Sequence, residues 1–298
     1  MNTDPALRPP DTHHWSDDID PAIESQREAE FMLWLGEKAE NIEARILAAI
    51  RAAGLNPEQR LLPEELGALD HFHTGGLRAS RELVDLARIG KPDRVLDIGA
   101  GLAGCARLLA STIGCRVDCL EMSPDYCVGA ALLNRLTGLD DRIKVHEGSA
   151  LDMPFPDDSF DVVWMQNVGM NIADKGKLYA EINRVLKPGG RFVFQEMAAG
   201  SSATTHFPLP WATDPADNFL VSAEEMHTAL GQCGFVIEVL EDTSAAHLSR
   251  TAANATPAAP GQLSLGVFVD NLGQKAGNAR RSLEEGQVRL VRGVFRAN

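Results

Sequence analysis

The sequence has few cysteines, an acidic charge balance and no long apolar run. Its five cysteines, Cys105, Cys115, Cys119, Cys127 and Cys233, are odd in number among 298 residues and form no C-x-x-C pair. This pattern argues against a disulfide framework and predicts reduced thiols and no metal site. No stretch reaches the roughly 18 uninterrupted apolar residues that a membrane-spanning helix needs.

Basic residues are also scarce. There are 28 Lys and Arg against 42 Asp and Glu, which gives a net charge of −14. A surface of this sign repels the phosphates of nucleic acids and of anionic membranes. The first twenty residues have neither the basic start nor the apolar run of a secretory signal. We therefore expect a cytoplasmic protein that acts on a small molecule, with no nucleic acid or membrane partner, and the sequence indicates no oligomeric state.

The composition changes along the chain and divides it into parts. Residues 1–20 are rich in Pro and Asp and predict a flexible terminus. Residues 21–90 repeat apolar side chains every three or four positions, which predicts a helical extension that acts as a lid. Residues 91–298 form the main domain, with a polar, Pro-rich insertion at about 198–222 and a flexible Ala/Thr/Pro-rich segment at about 243–262.

Short β-rich runs separated by helical stretches begin near residue 94. The runs are "RVLDIG", "CRVDCLEM", "IKVHEG", "FDVVWMQN" and "RFVFQEM". Later, "SAEEMHTALGQCGFVIEVLED" and "NARRSLEEGQVRLVRGVFRAN" each predict a helix followed by a strand. Such alternation is typical of crossover connections between parallel strands. The predicted fold class is α/β, a Rossmann-like, doubly wound and mostly parallel seven-stranded sheet with an N-terminal helical extension and a lid insertion.

The stretch "VLDIGAGLAG" leads from the first strand into a helix through a G-x-G-x-x-G fingerprint. Gly99 and Gly101 let backbone amides approach a nucleotide-like ligand closely. Asp97, at the strand end, discriminates between cofactors, because a carboxylate beside a pyrophosphate is repelled whereas one beside an ammonium and a sulfonium is attracted. The loop therefore favours a cofactor with a positively charged amino-acid end.

The second strand ends in a second carboxylate, Glu121. It lies twenty-two positions after Gly99, at the distance where an acidic side chain accepts hydrogen bonds from both ribose hydroxyls. Met122 follows it and is placed to lie on an adenine face. The glycine fingerprint together with Asp97 and Glu121 indicates a cofactor site more specifically than the fingerprint alone.

The order of these motifs resembles that of class I S-adenosylmethionine-dependent methyltransferases. The likeness covers about residues 90–198 and is carried by "VLDIGAGLAG", the strand-end Glu121, "GSALDMPFPDDSFDVV" and "LYAEINRVLKPGGRFVFQE". The "DHFHTGG", "MNIADK" and "PLPWA" segments are similar to bacterial small-molecule enzymes of the sarcosine/dimethylglycine N-methyltransferase type. The resemblance implies S-adenosyl-L-methionine as cofactor and methyl transfer to a small acceptor, with an amine slightly favoured over a hydroxyl or carbon acceptor.

The resemblance also implies roles for individual residues. Asp97 and the Gly99, Ala100 and Gly101 backbone hold the methionine part, and Glu121 holds the ribose. Ser149, Ala150 and Leu151 face the adenine, although many relatives carry Asp in place of Ser149. Gln166 and Asn167 stand where cofactor and methyl acceptor meet.

Methyl transfer needs alignment of the acceptor and exclusion of water more than it needs a nucleophile or a metal. One base or hydrogen-bond acceptor helps to handle the acceptor's proton. The candidates are His71, His73 and Asn167; Gly75 and Gly76 beside the histidines suggest a segment that closes on ligand.

Two other classes of function share part of this pattern. A nicotinamide- or flavin-dependent oxidoreductase has the same glycine fingerprint, but Asp97 and "LKPGG" count against it. A catalytically silent cofactor-binding protein has the same fold and motifs, since a fold does not ensure activity.

Overall fold

The structure is a computed structural model that describes residues 42–201, 205–253, 263–264, 266 and 268–298. The predicted flexible terminus, 1–20, and residues 21–41 of the predicted helical extension lie outside the described residues. The described part of α1 covers 42–52, and its buried residues Ile42, Ile46 and Ile50 follow the predicted four-residue spacing. These side chains form one apolar face, as helical periodicity requires.

Seven strands form one sheet within the described residues, in the order β3-β2-β1-β4-β5-β7-β6. Strands β1 to β5 pair in parallel, whereas β7 lies antiparallel between β5 and β6. The predicted mostly parallel, seven-stranded sheet is therefore confirmed. The strands are β1 Arg94–Ile98, β2 Arg116–Glu121, β3 Ile143–Glu147, β4 Phe160–Gln166, β5 Leu186–Ala199, β6 Phe235–Asp242 and β7 Val288–Ala297.

Helices cover both faces of this sheet. Three of them, α1 to α3, lie before β1. The "HFHTG" link, residues 71–75, separates α2 from α3 at the Gly75–Gly76 pair, where the sequence predicts a break between two helices. After α1, the helices are α2 Pro63–Asp70, α3 Gly76–Ala87, α4 Gly104–Thr112, α5 Pro124–Thr137, α6 Lys175–Val185, α7 Ala223–Gln232, α8 Ser244–Ala253 and α9 Leu272–Glu284. No helix in the described part of the chain is long and apolar enough to cross a membrane.

The central strands are buried on both faces, which explains their nearly continuous apolar sequences. In β1, Leu96 and Ile98 join one apolar cluster, whereas Val95 joins another. The residues of β4 alternate in the same way, with Val163 in the first cluster and Trp164 in the second. This period of two fixes which strand residues face each helical layer.

The segment after Asp242 differs from its prediction as a flexible surface insertion at 243–262. Its first part is helix α8, begun by a Ser244 amide that donates to Asp242 Oδ1 at 2.8 Å. The alanines favour a helix, and Leu248 packs against an apolar cluster that includes Leu290 of β7. Residues 254–262 lie outside the described residues.

The predicted insertion at 198–222 begins within a strand, because β5 extends to Ala199. From residue 205 onward the segment is irregular apart from a 3₁₀ turn, Pro215–Asp217. Trp211 donates from Nε1 to Asn218 Oδ1 at 2.8 Å within the segment. Two side chains of α9 also hold its backbone: Ser282 Oγ accepts from His206 N at 3.0 Å, and Asn278 Nδ2 donates to Pro208 O at 3.0 Å.

Candidate functional site

The turn between β1 and α4 forms the floor of the candidate site. Gly99 and Gly101 have φ of 62° and 53°, in the left-handed region that favours glycine. The amides of Gly99 and Ala100 donate to Leu120 O of β2 at 2.8 and 3.2 Å. A Cβ on Gly99 would lie 2.4 Å from Val168 Cγ2, so the turn is wedged against the segment that follows β4.

Asp97 is a buried carboxylate beside this turn. It is 3% exposed, and its Oδ2 has no hydrogen-bond partner among the described residues. Burial, and after it the negative charge of Glu121, raises the pKa of Asp97 to about 8. An unpartnered carboxylate in this setting is stabilised by a cation that binds next to it.

Glu121 connects the end of β2 to the same turn. Its Oε2 accepts from Gly101 N at 2.8 Å, and its Oε1 accepts from Ser123 N at 2.9 Å. Burial raises its pKa, and the backbone hydrogen bonds oppose that rise. Each carboxylate oxygen keeps a second lone pair, so Glu121 can still accept from ligand hydroxyls.

A cavity of about 70 Å³ opens above the turn. It brings together seven of the predicted residues, Asp97, Gly99, Ala100, Gly101, His73, Gln166 and Asn167, with Asp70, Phe72 and Cys105. Phe72 covers the turn, since a Cβ on Gly101 would lie 3.6 Å from its ring. His71, Glu121, Met122, Ser149, Ala150 and Leu151 are outside this lining.

Asn167 follows β4 in a left-handed conformation, with φ of 55°. Its amide donates to Gln195 O at 2.8 Å, which fixes it beside β5. Its side-chain Nδ2 donates to Thr74 Oγ1 at 3.3 Å, whereas its buried Oδ1 has no partner among the described residues. The free carbonyl oxygen is therefore able to accept a hydrogen bond from a ligand.

Gln166, the last residue of β4, directly precedes Asn167. The oxygen of its side-chain amide already accepts hydrogen bonds from other residues of the protein. Its Oε1 accepts from Trp164 Nε1 at 3.1 Å, from Ser80 Oγ at 3.2 Å and from Cys105 Sγ at 3.0 Å. These contacts fix the Gln166 amide at the wall of the cavity.

Both candidate histidines are buried and close together. His71 Nδ1 and His73 Nε2 are 3.2 Å apart. Burial lowers the pKa of His71 to about 4 and that of His73 to about 3, with the charges of Arg107 and of His71 adding to the respective effects. Both imidazoles are consequently neutral near pH 7.

The "DHFHTGG" segment is anchored by a buried ion pair. Arg107 of α4 donates from Nη2 to Asp70 Oδ2 at 2.7 Å and to Leu102 O at 2.6 Å. Its Nη1 donates to Asn134 Oδ1 at 2.8 Å. Through these hydrogen bonds, Arg107 fixes the end of α2 against α4.

Comparison with known proteins identifies the central part of the chain. Residues 96–194, which include the end of β1, the glycine turn and β4, match the family model described as "Methyltransferase domain". Residues 96–194 therefore form a methyltransferase domain, similar to those of class I S-adenosylmethionine-dependent enzymes.

Individual relatives of this methyltransferase domain differ in acceptor. Over 130 residues, or 44% of this chain and 23% of the relative, it is 38% identical to the glycine/sarcosine/dimethylglycine N-methyltransferase of Actinopolyspora halophila. Over 179 residues, or 58% of this chain and 48% of the relative, it is 33% identical to a sterol 24-C-methyltransferase of Eremothecium gossypii. The chain therefore spans less than half the length of either protein.

A solved structure shows the same fold. The geranyl diphosphate C-methyltransferase of Streptomyces coelicolor A3(2), in complex with S-adenosyl-L-homocysteine, superposes with a TM-score of 0.60 at 21% identity. The match covers 74% of this chain and 76% of that one. At 21% identity, this comparison shows that the two chains share a fold.

The methyltransferase domain fits its cofactor at the amino-acid end. The unpartnered Oδ2 of Asp97 needs a positive partner, and S-adenosyl-L-methionine carries an ammonium and a sulfonium. The left-handed glycines leave the backbone of the turn free of side chains on the ligand side.

The residues predicted to contact adenine lie around the ends of β2 and β3. Gly148 N donates to Glu121 O at 3.0 Å, which places the Ser149 turn beside Glu121. Ser149 Oγ accepts from Leu151 N at 3.1 Å, and Met122 is 70% exposed. Their adenine contacts stay predictions, as does the position of Ala150 and Leu151 against the ring.

Sequence reasoning did not select Asp70, Phe72 and Cys105 for this site. An acidic residue and an aromatic ring flanking His71 were visible in "DHFHTGG", but their direction depends on where α2 ends. Cys105 lies on α4, and its thiol reaches the cavity wall because of how α4 is rotated about its own axis. The sequence alone does not indicate this rotation.

Proposed function

We propose that this protein transfers a methyl group from S-adenosyl-L-methionine to the amine of a small N-methylglycine-like molecule. The observation that carries the proposal is the buried, unpartnered Asp97 beside the glycine turn, joined through Gly101 to Glu121. The likeness to the N-methyltransferase of A. halophila supports the amine acceptor.

The residues that would hold the cofactor follow from this arrangement. Asp97 and the Gly99–Gly101 backbone would take the amino-acid end, and Glu121 would take the ribose. Ser149, Ala150, Leu151 and Met122 would surround the adenine. When bound, S-adenosyl-L-methionine supplies a sulfonium-activated methyl group.

The chain's own residues position the acceptor and exclude water. Phe72 covers the turn and reduces the open volume above it. The Asn167 carbonyl oxygen, which has no partner among the described residues, accepts a hydrogen bond from the acceptor's N–H and orients its lone pair. An amine that arrives neutral needs no strong base, so His73 serves as a neutral wall of the pocket.

The cofactor assignment is tested by isothermal titration with S-adenosyl-L-methionine, S-adenosyl-L-homocysteine and NADH. We expect the first two to bind and NADH not to bind. Asp97→Asn removes the charge that faces the ammonium and should weaken cofactor affinity at least about tenfold, the loss of one charge-assisted hydrogen bond. Asp140→Asn, the same change at an exposed position before β3, is the matched control and should bind normally.

The acceptor assignment is tested separately, with labelled S-adenosyl-L-methionine and sarcosine, dimethylglycine, a phenol or a sterol. We expect label transfer to sarcosine, whose neutral amine has one N–H for the Asn167 oxygen, and weaker transfer to dimethylglycine, whose neutral amine has none. Transfer only to the phenol or the sterol would reject the amine acceptor and keep the methyltransferase. Binding of NADH alone would reject the whole proposal.

A further inference from the structure

Three side chains that are common metal ligands converge at the wall of the cavity. His71 and His73 come from the link between α2 and α3, and Cys105 comes from α4. All three are buried, and one ligand atom of each lies within 4.8 Å of the others. Within the described residues, no second trio of His, Cys, Asp or Glu side chains converges in this way.

The distances between these atoms are within about 0.2 Å of those in a tetrahedral zinc site. His71 Nδ1 is 3.2 Å from His73 Nε2, and Cys105 Sγ is 3.8 and 3.6 Å from these two nitrogens. Around a tetrahedral zinc ion, with Zn–N of about 2.0–2.1 Å and Zn–S of about 2.3 Å, pairs of ligand atoms are about 3.3–3.6 Å apart.

Ser80 of α3 supplies the fourth corner of this tetrahedron. Its Oγ lies 3.2 Å from His71 Nδ1, 2.9 Å from His73 Nε2 and 3.5 Å from Cys105 Sγ. Four polar atoms from two helices and one link thus surround a single point.

In each ring, the outer nitrogen is the one that faces away from the cluster, Nε2 of His71 and Nδ1 of His73. Each of them lies near an oxygen of the kind found around metal-bound histidines. His71 Nε2 is 3.6 Å from Asp70 Oδ1, a carboxylate oxygen without a hydrogen-bond partner among the described residues. His73 Nδ1 is 3.5 Å from Thr74 O, and Gln166 Nε2 lies 3.4 Å from the same nitrogen. A carboxylate or carbonyl that attracts the outer N–H leaves the inner nitrogen's lone pair free for a metal.

We propose that His71, His73 and Cys105 bind a divalent transition-metal ion of the zinc type, with Ser80 Oγ at the fourth position. Imidazole and thiolate donors select such an ion over Mg²⁺ or Ca²⁺. On binding, the S–H bond of Cys105 is replaced by a metal–sulfur bond, and the proton passes to solvent. The ion joins the α2–α3 link to α4 and thereby holds Phe72 over the glycine turn.

A metal-free arrangement of the same residues makes a different prediction. There, the Ser80 hydroxyl and the Cys105 thiol both donate to Gln166 Oε1, and the two imidazoles share one hydrogen bond. If these hydrogen bonds are the only role of the cluster, the protein binds no equivalent of metal, so direct metal titration separates the two arrangements.

The test uses the full chain, treated with a chelator and titrated with Co²⁺, in the absence of cofactor and acceptor. We expect one equivalent to bind, with the visible absorption of tetrahedral cobalt and a near-ultraviolet thiolate-to-cobalt charge-transfer band. Zn²⁺ should displace it and abolish both signals. Because no methyl transfer is measured, failure of the proposed function leaves this result unaffected.

Two variants assign the site. Cys105→Ser should lose the charge-transfer band, whereas Cys115→Ser, the same change at a buried cysteine outside the cluster, should keep it. His71→Gln should weaken Co²⁺ affinity at least tenfold, and it remains informative if Cys105→Ser fails to fold by circular dichroism. Absence of the charge-transfer band in the wild type, or its persistence in folded Cys105→Ser, would overturn the proposal.

Discussion

Asp97 and Glu121 form a pair of like charges at the ends of neighbouring strands. Burial raises the pKa of both, and the negative charge of Glu121 adds to the rise at Asp97. Such a pair is destabilising unless a positive ligand or a proton lies next to it. The sequence indicated both carboxylates because each directly follows an apolar run, where the carboxyl ends of parallel strands meet.

The left-handed Asn167 allows its side chain to be tested without straining the backbone. Asn167→Gly keeps the preferred conformation at φ of 55° and removes the carbonyl oxygen that orients the acceptor. We expect kcat to fall at least about tenfold through lost orientation, with the cofactor affinity little changed. Steady-state kinetics and cofactor titration measure the two effects.

Asn271→Gly is the control for that experiment. Asn271 has φ of 54°, and its side chain makes no capping hydrogen bond at the start of α9. Its replacement should leave kcat unchanged. An Asn167→Gly enzyme with full turnover would remove Asn167 from the acceptor site.

Glu196 gives the protein a pH dependence that is separate from the cofactor site. Its Oε1 accepts from the amides of Val168 and Gly169, while burial raises its pKa from 4.5 to about 7 against the opposing effects of these bonds and of Lys175. The unfolded chain ionises this group at lower pH than the folded protein does. Its contribution to stability is therefore fully present below about pH 4.5 and is lost as pH rises to about 7.

Glu196→Gln keeps an oxygen acceptor and removes the titration. Its free energy of unfolding, relative to wild type, should rise between pH 5 and pH 8, by an amount on the order of 3 kcal/mol for complete ionisation. Urea denaturation at several pH values measures the difference, with exposed Glu147→Gln as control. A difference that stays constant across this range would show that Glu196 does not titrate there.

At the scale of elements, the link between α2 and α3 organises the site. The two helices were recognisable from their apolar spacing and from the Gly-Gly break between them. The convergence of His71, His73 and Cys105 was not recognisable, because it depends on where α2 ends and on the face that α4 turns to the link. Helix α8 was also missed, since its Ala, Ser and Thr content is equally typical of a surface loop and only packing against β7 selects the helix.

The buried ion pair between Asp70 and Arg107 fixes α2 on α4. Both side chains are at most 1% exposed. Asp70→Asn leaves the Arg107 guanidinium without its counter-ion and should lower the free energy of unfolding by about 3–5 kcal/mol. Urea denaturation at pH 8, where Asp70 with its pKa of about 6 is ionised, measures this loss.

The comparison for Asp70→Asn is Glu284→Gln, which breaks the exposed Arg280–Glu284 pair of α9. We expect it to change stability by less than about 1 kcal/mol. Equal effects of the two substitutions would contradict the structural role assigned to Asp70.

For the whole molecule, the sequence was sufficient for the fold class but not for the strand order. Apolar runs such as "RVLDIG" and "FDVVWMQN" identified the central strands, because strands buried on both faces cannot contain many polar residues. Nothing in the alternation of β6 and β7 indicates that the later strand enters between β5 and β6. The position of β7 is determined by pairing between residues far apart in the sequence, such as Phe194 with Gly293 and Leu240 with Gly293.

The position of β7 has a consequence for synthesis on the ribosome. Strand β6 has no partner in the sheet except β7 within the described residues, and β7 occupies residues Val288–Ala297. While β1 to β5 can pair as they emerge, β6 must wait with its backbone unpaired until these ten residues have left the exit tunnel. During that interval the nascent chain exposes the edge of β5, and a chaperone that shields this edge would raise the yield of native protein.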